Sequence, residues 1–253
     1  MAMTYPLSQG HDQTTEKKLN VIRPFGDNVE GWPDGFMFSS LNDLVRFAIA
    51  FMDSGKINGR QVLFPSVITK LSTPHADLQS PFGFGDGKYG YGAFIHDYRG
   101  VRLVWHAGII LGFASLLIMV PAQRFAVIAL ANKSGVLLNK TCEKAMELLL
   151  PLNRKAEIKK QPLVISRAEI NKYVGIYMNK PNRIEILENE GKLFLKREDG
   201  EFPIFKVGQY RFSIIKSEAS AAEEFVLIAT YDGELYLHIE RHAFKKVTIK
   251  KLK

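Results

Sequence analysis

The chain has 253 residues, 46% hydrophobic and 24% charged, with 34 Lys+Arg against 26 Asp+Glu and a formal charge of +8. That length and balance suit one large or two modest globular domains with real cores, and exclude a disordered or fibrous chain. The longest apolar run, 113–120, stops at Pro121 after a strand's length, far short of the roughly 18 residues that a membrane-spanning helix needs.

Residues 1–18 lack the basic start, continuous apolar stretch and small-residue cleavage site of a secretory leader, so nothing in the chain directs export and its compartment is undetermined. A helix is expected over 39–55. Ser39 or Ser40 can cap it, Leu44, Phe47, Ala48 and Phe51 recur at helical spacing, and Gly55 can end it. A shorter helix over 65–71 has proline at its first turn and Pro74 beyond its end. Each should lay one apolar face on a sheet.

Gly85-Asp86-Gly87-Lys88-Tyr89-Gly90 fits the G-x-G-x-x-G dinucleotide pattern. That fingerprint needs a strand before it and a helix after, whereas 91–98 has strand composition and ends at a turn, so no nucleotide is expected. Strands over 101–106, 113–120 and 125–131 follow as a meander whose loop, 121–124, suits a hairpin. Their nearly continuous apolar content implies helices on both faces. An amphipathic helix over 136–150, apolar at Leu138, Ala145 and Leu149 and stopped by Pro151, supplies one cover, and the other is not evident. Cys142 in that helix has no partner for an internal disulfide and reads as a buried structural thiol.

Residues 153–165 turn polar and basic and read as a linker between a first part, 1–152, and a second, 166–253. The second part carries strand signals over 183–187, 192–197, 210–215, 225–231 and 234–239, the spacing of a small antiparallel barrel or sandwich. The fold class is therefore α+β: an antiparallel sheet flanked by helices, then an all-β unit. The excess of cations is C-terminal, but over 245–252 the lysines alternate with apolar residues. That pattern suits a solvated edge strand and not a nucleic-acid surface.

The candidate chemistry sits at the end of the first meander strand, in His106-Ala107-Gly108. Other matches mislead. Ser213 and Lys216 fit Ser-x-x-Lys and Tyr177 and Asn179 fit Tyr-x-Asn, but both pairs fall in the β unit, where residues three apart on a strand point to opposite faces. His238 and His242 lack the acidic spacing of zinc motifs, and His11, His75 and His96 are scattered, so no metal and no cofactor are expected.

Three segments, in order, resemble the serine β-lactamase and penicillin-binding family, in the branch of class C β-lactamases, DD-peptidases and esterases. Gly31 to Phe47 is similar to its proline-glycine loop and S-x-x-D-L-x-x-F helix; Val104-Trp105-His106-Ala107-Gly108 to Phe113 to the strand of its third motif; and 125–134 to the next strand with an Ala-Asn-Lys ending. The β unit, through Tyr173-Val174-Gly175-Ile176-Tyr177 and Gly191-Lys192-Leu193-Phe194-Leu195, resembles the small lipocalin-like domain often fused to such hydrolases.

The resemblance implies amide or ester cleavage through an acyl-serine, in proteins that are often periplasmic or extracellular. A Ser-x-x-Lys serine needs a base to take its proton, and the tetrahedral oxyanion needs fixed donors. It assigns His106 to the substrate's carboxylate or the Tyr-x-Asn tyrosine, Gly108 to close substrate approach, and the Ile109 N–H to the oxyanion. No Ser-x-x-Lys or Tyr-x-Asn precedes His106 here, so the chain by itself should be silent. The rival reading is a non-catalytic binding module for peptidoglycan-like or peptidic ligands, or one half of a split enzyme. Either way, apolar sheet surface that a missing half would cover should drive self-association, segment exchange or a rearranged arm over 1–28.

Overall fold

The computed structural model describes residues 6–14, 17–24, 29–33, 35–78, 82–154, 162–215, 223–239 and 242–247. The chain divides into two compact units, residues 1–77 with 83–155, and residues 78–82 with 156–253. No described helix is long and apolar enough to cross a membrane.

The first unit opens with a hairpin of β1 (His11–Gln13) and β2 (Leu19–Val21). The His11 N–H donates to the Asn132 carbonyl at 3.0 Å, and the Ser134 N–H returns to the His11 carbonyl at 2.8 Å. The described part of the arm is thus anchored at one end of the main sheet; residues 1–5, 15–16 and 25–28 lie outside the described residues.

Helix α1 (Leu41–Met52) starts where a side-chain oxygen replaces a missing helical acceptor, with Ser40 Oγ taking the Asp43 N–H at 3.1 Å. A short hairpin, β3 (Lys56–Ile57) and β4 (Arg60–Gln61), leads to α2 (Pro65–Ser72), whose proline opens the helix at no hydrogen-bonding cost. The sheet is antiparallel and six-stranded: β5 (Ala76–Asp77), β6 (Lys88–Tyr89), β7 (Phe94–Tyr98), β8 (Val101–Ile110), β9 (Phe113–Val120) and β10 (Phe125–Ala131), ordered β10-β9-β8-β7-β6-β5. Helix α3 (Asn139–Leu149) packs on β10 and fully buries Cys142 and Met146, so the cysteine is a core residue whose thiol pKa is pushed up by burial.

The cover that the sequence left unidentified is α1 with α2. Ala48 and Phe51 pack on Val104 and Met119, joined by Ile68 and Leu71. Burying those side chains supplies the hydrophobic gain, of about 25 cal/mol per Å2, that holds the two short helices in place. The cover is partial: Leu41, Val45 and Ile49, one turn apart along α1, remain 50%, 41% and 43% exposed.

The second unit begins with α4 (Arg167–Tyr173), whose cap is reciprocal: Ser166 Oγ accepts the Glu169 N–H, and the Glu169 carboxylate accepts the Ser166 N–H. Eight strands follow: β11 (Gly175–Asn179), β12 (Asn182–Asn189), β13 (Lys192–Arg197), β14 (Gly200–Lys206), β15 (Arg211–Ile214), β16 (Glu223–Ala229), β17 (Leu235–Ile239) and β18 (His242–Val247). They close into an antiparallel barrel in chain order. Tyr177, Ile186, Leu195, Phe212, Phe225 and Leu237 are wholly buried, so side chains fill its interior.

Closure corrects the expectation of a lysine-protected edge. β18 pairs with β17 on one side and β11 on the other. Its lysines are tied down, Lys245 to Glu234 at 2.6 Å and Lys246 to the Lys172 carbonyl at 2.5 Å. Residues 248–252 of the expected strand lie outside the described residues.

Candidate active-site cleft

The register of the sheet creates an edge in its middle. β7 ends at Phe94, opposite Trp105, while β8 runs on through His106, Gly108 and Ile109 to Ile110. From His106 onward β8 is paired only on its β9 side among the described strands. A bare strand edge offers main-chain donors and acceptors to an extended ligand.

His106 stands at the start of that edge, and its imidazole is exposed. It is nonetheless held: its ring lies 5.3 Å from Phe94, and the Tyr89 hydroxyl lies 3.3 Å from Nε2. Tyr89 is itself fixed edge-on to Phe94 at 4.7 Å, and Phe94 stacks on buried Trp105 at 4.7 Å. An aromatic base therefore carries an imidazole and a phenol side by side, a pair able to pass a proton or to receive a carboxylate.

Gly108 lies two residues further along the same side of β8. A Cβ there would fall 2.6 Å from Ser115 Oγ, so the serine hydroxyl occupies the space that a side chain would need. Ser115 is not the nucleophile of a Ser-x-x-Lys helix: Ile118 stands three residues on, and both are on β9. Ile109 follows with a side chain 53% exposed.

The structure also explains what the other motif matches do. Buried His96 accepts the Trp105 Nε1–H at Nδ1, 2.9 Å away, so Nε2 carries a hydrogen and donates it to the Gly85 carbonyl at 3.1 Å. A Cβ on Gly87 would come 2.4 Å from His96 Nε2. Of the dinucleotide-like pattern, Gly87 lets the loop lie against that ring, and β6 within the pattern and β7 after it stand where a phosphate-binding loop would need a helix.

Ser213 is buried on β15 and Lys216 lies outside the described residues. The Tyr177 hydroxyl donates to the Tyr173 carbonyl at 2.6 Å inside the barrel, its pKa raised by burial, and Asn179 ends β11. His11 binds at the sheet end, exposed His75 lies tilted against the Tyr91 ring at 4.2 Å, and His238 and His242 belong to neighbouring barrel strands. Among the described residues no group of three or more His, Cys, Asp or Glu gathers as a metal site.

Sequence reasoning missed Tyr89. Its only signal was an aromatic in a glycine-rich run, and the pairing of β6, β7 and β8 that brings Tyr89, Phe94 and Trp105 abreast is a long-range fact.

Comparison with known proteins agrees with this architecture. A solved octameric penicillin-binding protein homologue from Pyrococcus abyssi is 22% identical with a TM-score of 0.50, the match covering 94% of this chain and 53% of that one. The structure of SurE is 18% identical with a TM-score of 0.64, covering 96% and 56%. SurE with D-Leu gives 19%, 0.60, 81% and 49%. The chain thus spans about half the length of these proteins, and at such identities they share its fold alone. No curated protein matches. A family model described as Beta-lactamase matches residues 3–146, more than half of the chain and nearly all of the six-stranded unit, and by that match the chain belongs to the β-lactamase family.

Proposed function

We propose that this chain forms one wall of a serine acyl-transfer cleft, acting on a peptidic or small-molecule amide or ester, with the nucleophile supplied by residues outside it. The observation that carries the reading is the exposed His106 imidazole, braced by Tyr89 where β8 runs beyond the end of its pairing with β7. An acyl group extended along that edge would meet the backbone of Gly108, which has no side chain of its own, and the Ile109 N–H as an oxyanion donor. His106 would hold a substrate carboxylate or hand a proton to a tyrosine of the Tyr-x-Asn type. Nothing in 1–105 supplies Ser-x-x-Lys, so the chain alone binds without turning over.

The uncovered stripe of Leu41, Val45 and Ile49 favours a second reading, in which the wall belongs to a split enzyme or a non-catalytic ligand-binding module completed by another polypeptide. Two measurements test both. A fluorophosphonate probe should leave the isolated chain unlabelled, and labelling at any serine overturns the assignment of the nucleophile elsewhere. D-Leu, recorded with SurE, supplies a free α-carboxylate, and its addition should move the His106 imidazole and Gly108 amide signals in an NMR titration. A titration that moves neither ends the cleft reading.

A further inference from the structure

On the sheet face that carries His106, side chains alternate along each strand and line up from strand to strand. Leu117 and Ile128 therefore stand in a row with His106, and Ser115 and Leu130 in a row with Gly108. Helices α1 and α2 pack on this face as far as Leu117 and Ile128. The Gly108 row lies one step further out, where Ser115 is half-buried and Leu130 is exposed. Its one side-chain hydroxyl is that of Ser115, beside an apolar leucine.

That hydroxyl also stands where position 108 would carry a side chain. A Cβ on Gly108 would come 2.6 Å from Ser115 Oγ and 3.9 Å from Ser115 Cβ, so it is the hydroxyl and not the rest of the serine that overlies the glycine. No other described residue shares a hydrogen bond with it. A hydroxyl both donates and accepts, so both capacities face whatever lies over Gly108.

We propose that Ser115 is a specificity-determining residue of the cleft, its hydroxyl bonding the amide of an N-acyl amino acid whose carboxylate is held at His106. This rests on the cleft reading of His106 and Gly108 and adds the class of ligand to it. His106 and Ser115 are diagonal neighbours on adjacent strands, about 7 Å apart. A carboxylate and the amide next to it, each reached through a hydrogen bond of about 2.8 Å, span that interval.

The test is an NMR titration of the full chain, followed at the His106 imidazole and the Gly108 amide, with N-acetyl-D-leucine and, separately, with D-leucine, which lacks the amide. Ser115→Ala should weaken N-acetyl-D-leucine about fivefold, the loss of one hydrogen bond, and leave D-leucine unchanged. Ser115→Cys keeps a side chain of similar size with a much weaker donor and acceptor, so it should bind as Ser115→Ala does. The unaltered chain should bind N-acetyl-D-leucine more tightly than D-leucine, an order that needs no variant to fold. Equal weakening of both ligands, a cysteine variant that binds as the unaltered chain does, undiminished N-acetyl-D-leucine affinity in the alanine variant, or the reverse order on the unaltered chain would each overturn the role of Ser115 while the cleft reading stands. Signals that respond to neither ligand would end the cleft reading itself, and this inference with it.

Discussion

The barrel and the sheet solve the same problem differently. In the barrel each strand edge is paired by another strand of the same chain, and β18 returns to β11 to remove the last edge. The six-stranded sheet leaves three edges open among the described strands, the outer sides of β10 and of the two-residue β5 and the β8 segment from His106 to Ile110. β10, Phe125–Ala131, carries no charged residue, the feature by which exposed edges normally resist pairing. A unit that satisfies itself needs no partner, and one that leaves backbone and apolar side chains open is built to meet something, so function is to be sought in the sheet unit first.

The largest effect that would sharpen this contrast concerns self-association. Covering about 400 Å2 of apolar surface around the exposed Leu41, Val45, Ile49 and the β10 edge would contribute on the order of 10 kcal/mol before association costs. Light scattering should therefore give a mass above that of one chain, and Val45→Lys with Ile49→Lys should return it toward the monomer. A monomeric unaltered chain would show that the sheet is as self-sufficient as the barrel. Next in size, Phe212→Ala should cost about 3–5 kcal/mol, because the ring is wholly buried between Tyr173 at 5.3 Å and Phe225 at 5.4 Å. Both tryptophans, Trp32 and Trp105, lie in the first unit. The variant should lower the denaturation midpoint followed by circular dichroism and spare that followed by tryptophan fluorescence; a common shift of both would break the division into two units.

A smaller effect distinguishes the barrel by its acid response. The Lys206 ammonium, bonded at 2.6 Å, and then the Ser166 N–H hold the Glu169 carboxyl down at about 2 against an ordinary 4.5. Because the folded value lies below the unfolded one, the contribution is complete above about 4.5 and is lost as pH falls towards 2. Ser166→Ala should cost about 1 kcal/mol near neutrality through loss of the cap. Glu169→Gln should flatten barrel stability between those two pH values; an unchanged acid limb would assign the acid sensitivity to other groups.

The sequence foretold some of this for reasons that are local. Ser40, Pro65 and the apolar spacing of α1 are signals within one turn of helix, and the three long strands announced themselves by composition. Two barrel strands, β11 and β14, escaped notice because their pairing is distant or their composition argues against it, and β18 was foreseen only as an edge strand. β14 contains Pro203, and β18 carries lysines that mark an edge in isolation and a closed seam in context. At the cleft, His106 was visible as a polar residue ending an apolar strand, but the point at which β7 stops, and hence the free edge, depends on a register that no single segment encodes.

That register makes Tyr89→Phe the most exacting test, although its energetic effect is the smallest. The change removes one hydroxyl near an exposed imidazole and keeps the ring edge-on to Phe94, so stability should move by less than about 0.5 kcal/mol. The Nε2 resonance of His106 should nevertheless shift, while His96, held between Trp105 and Gly85, serves as the unmoved reference. If His106 keeps its resonance, the phenol does not organise the imidazole, and the open β8 edge is left without the group that distinguishes a reactive cleft from an unfinished sheet.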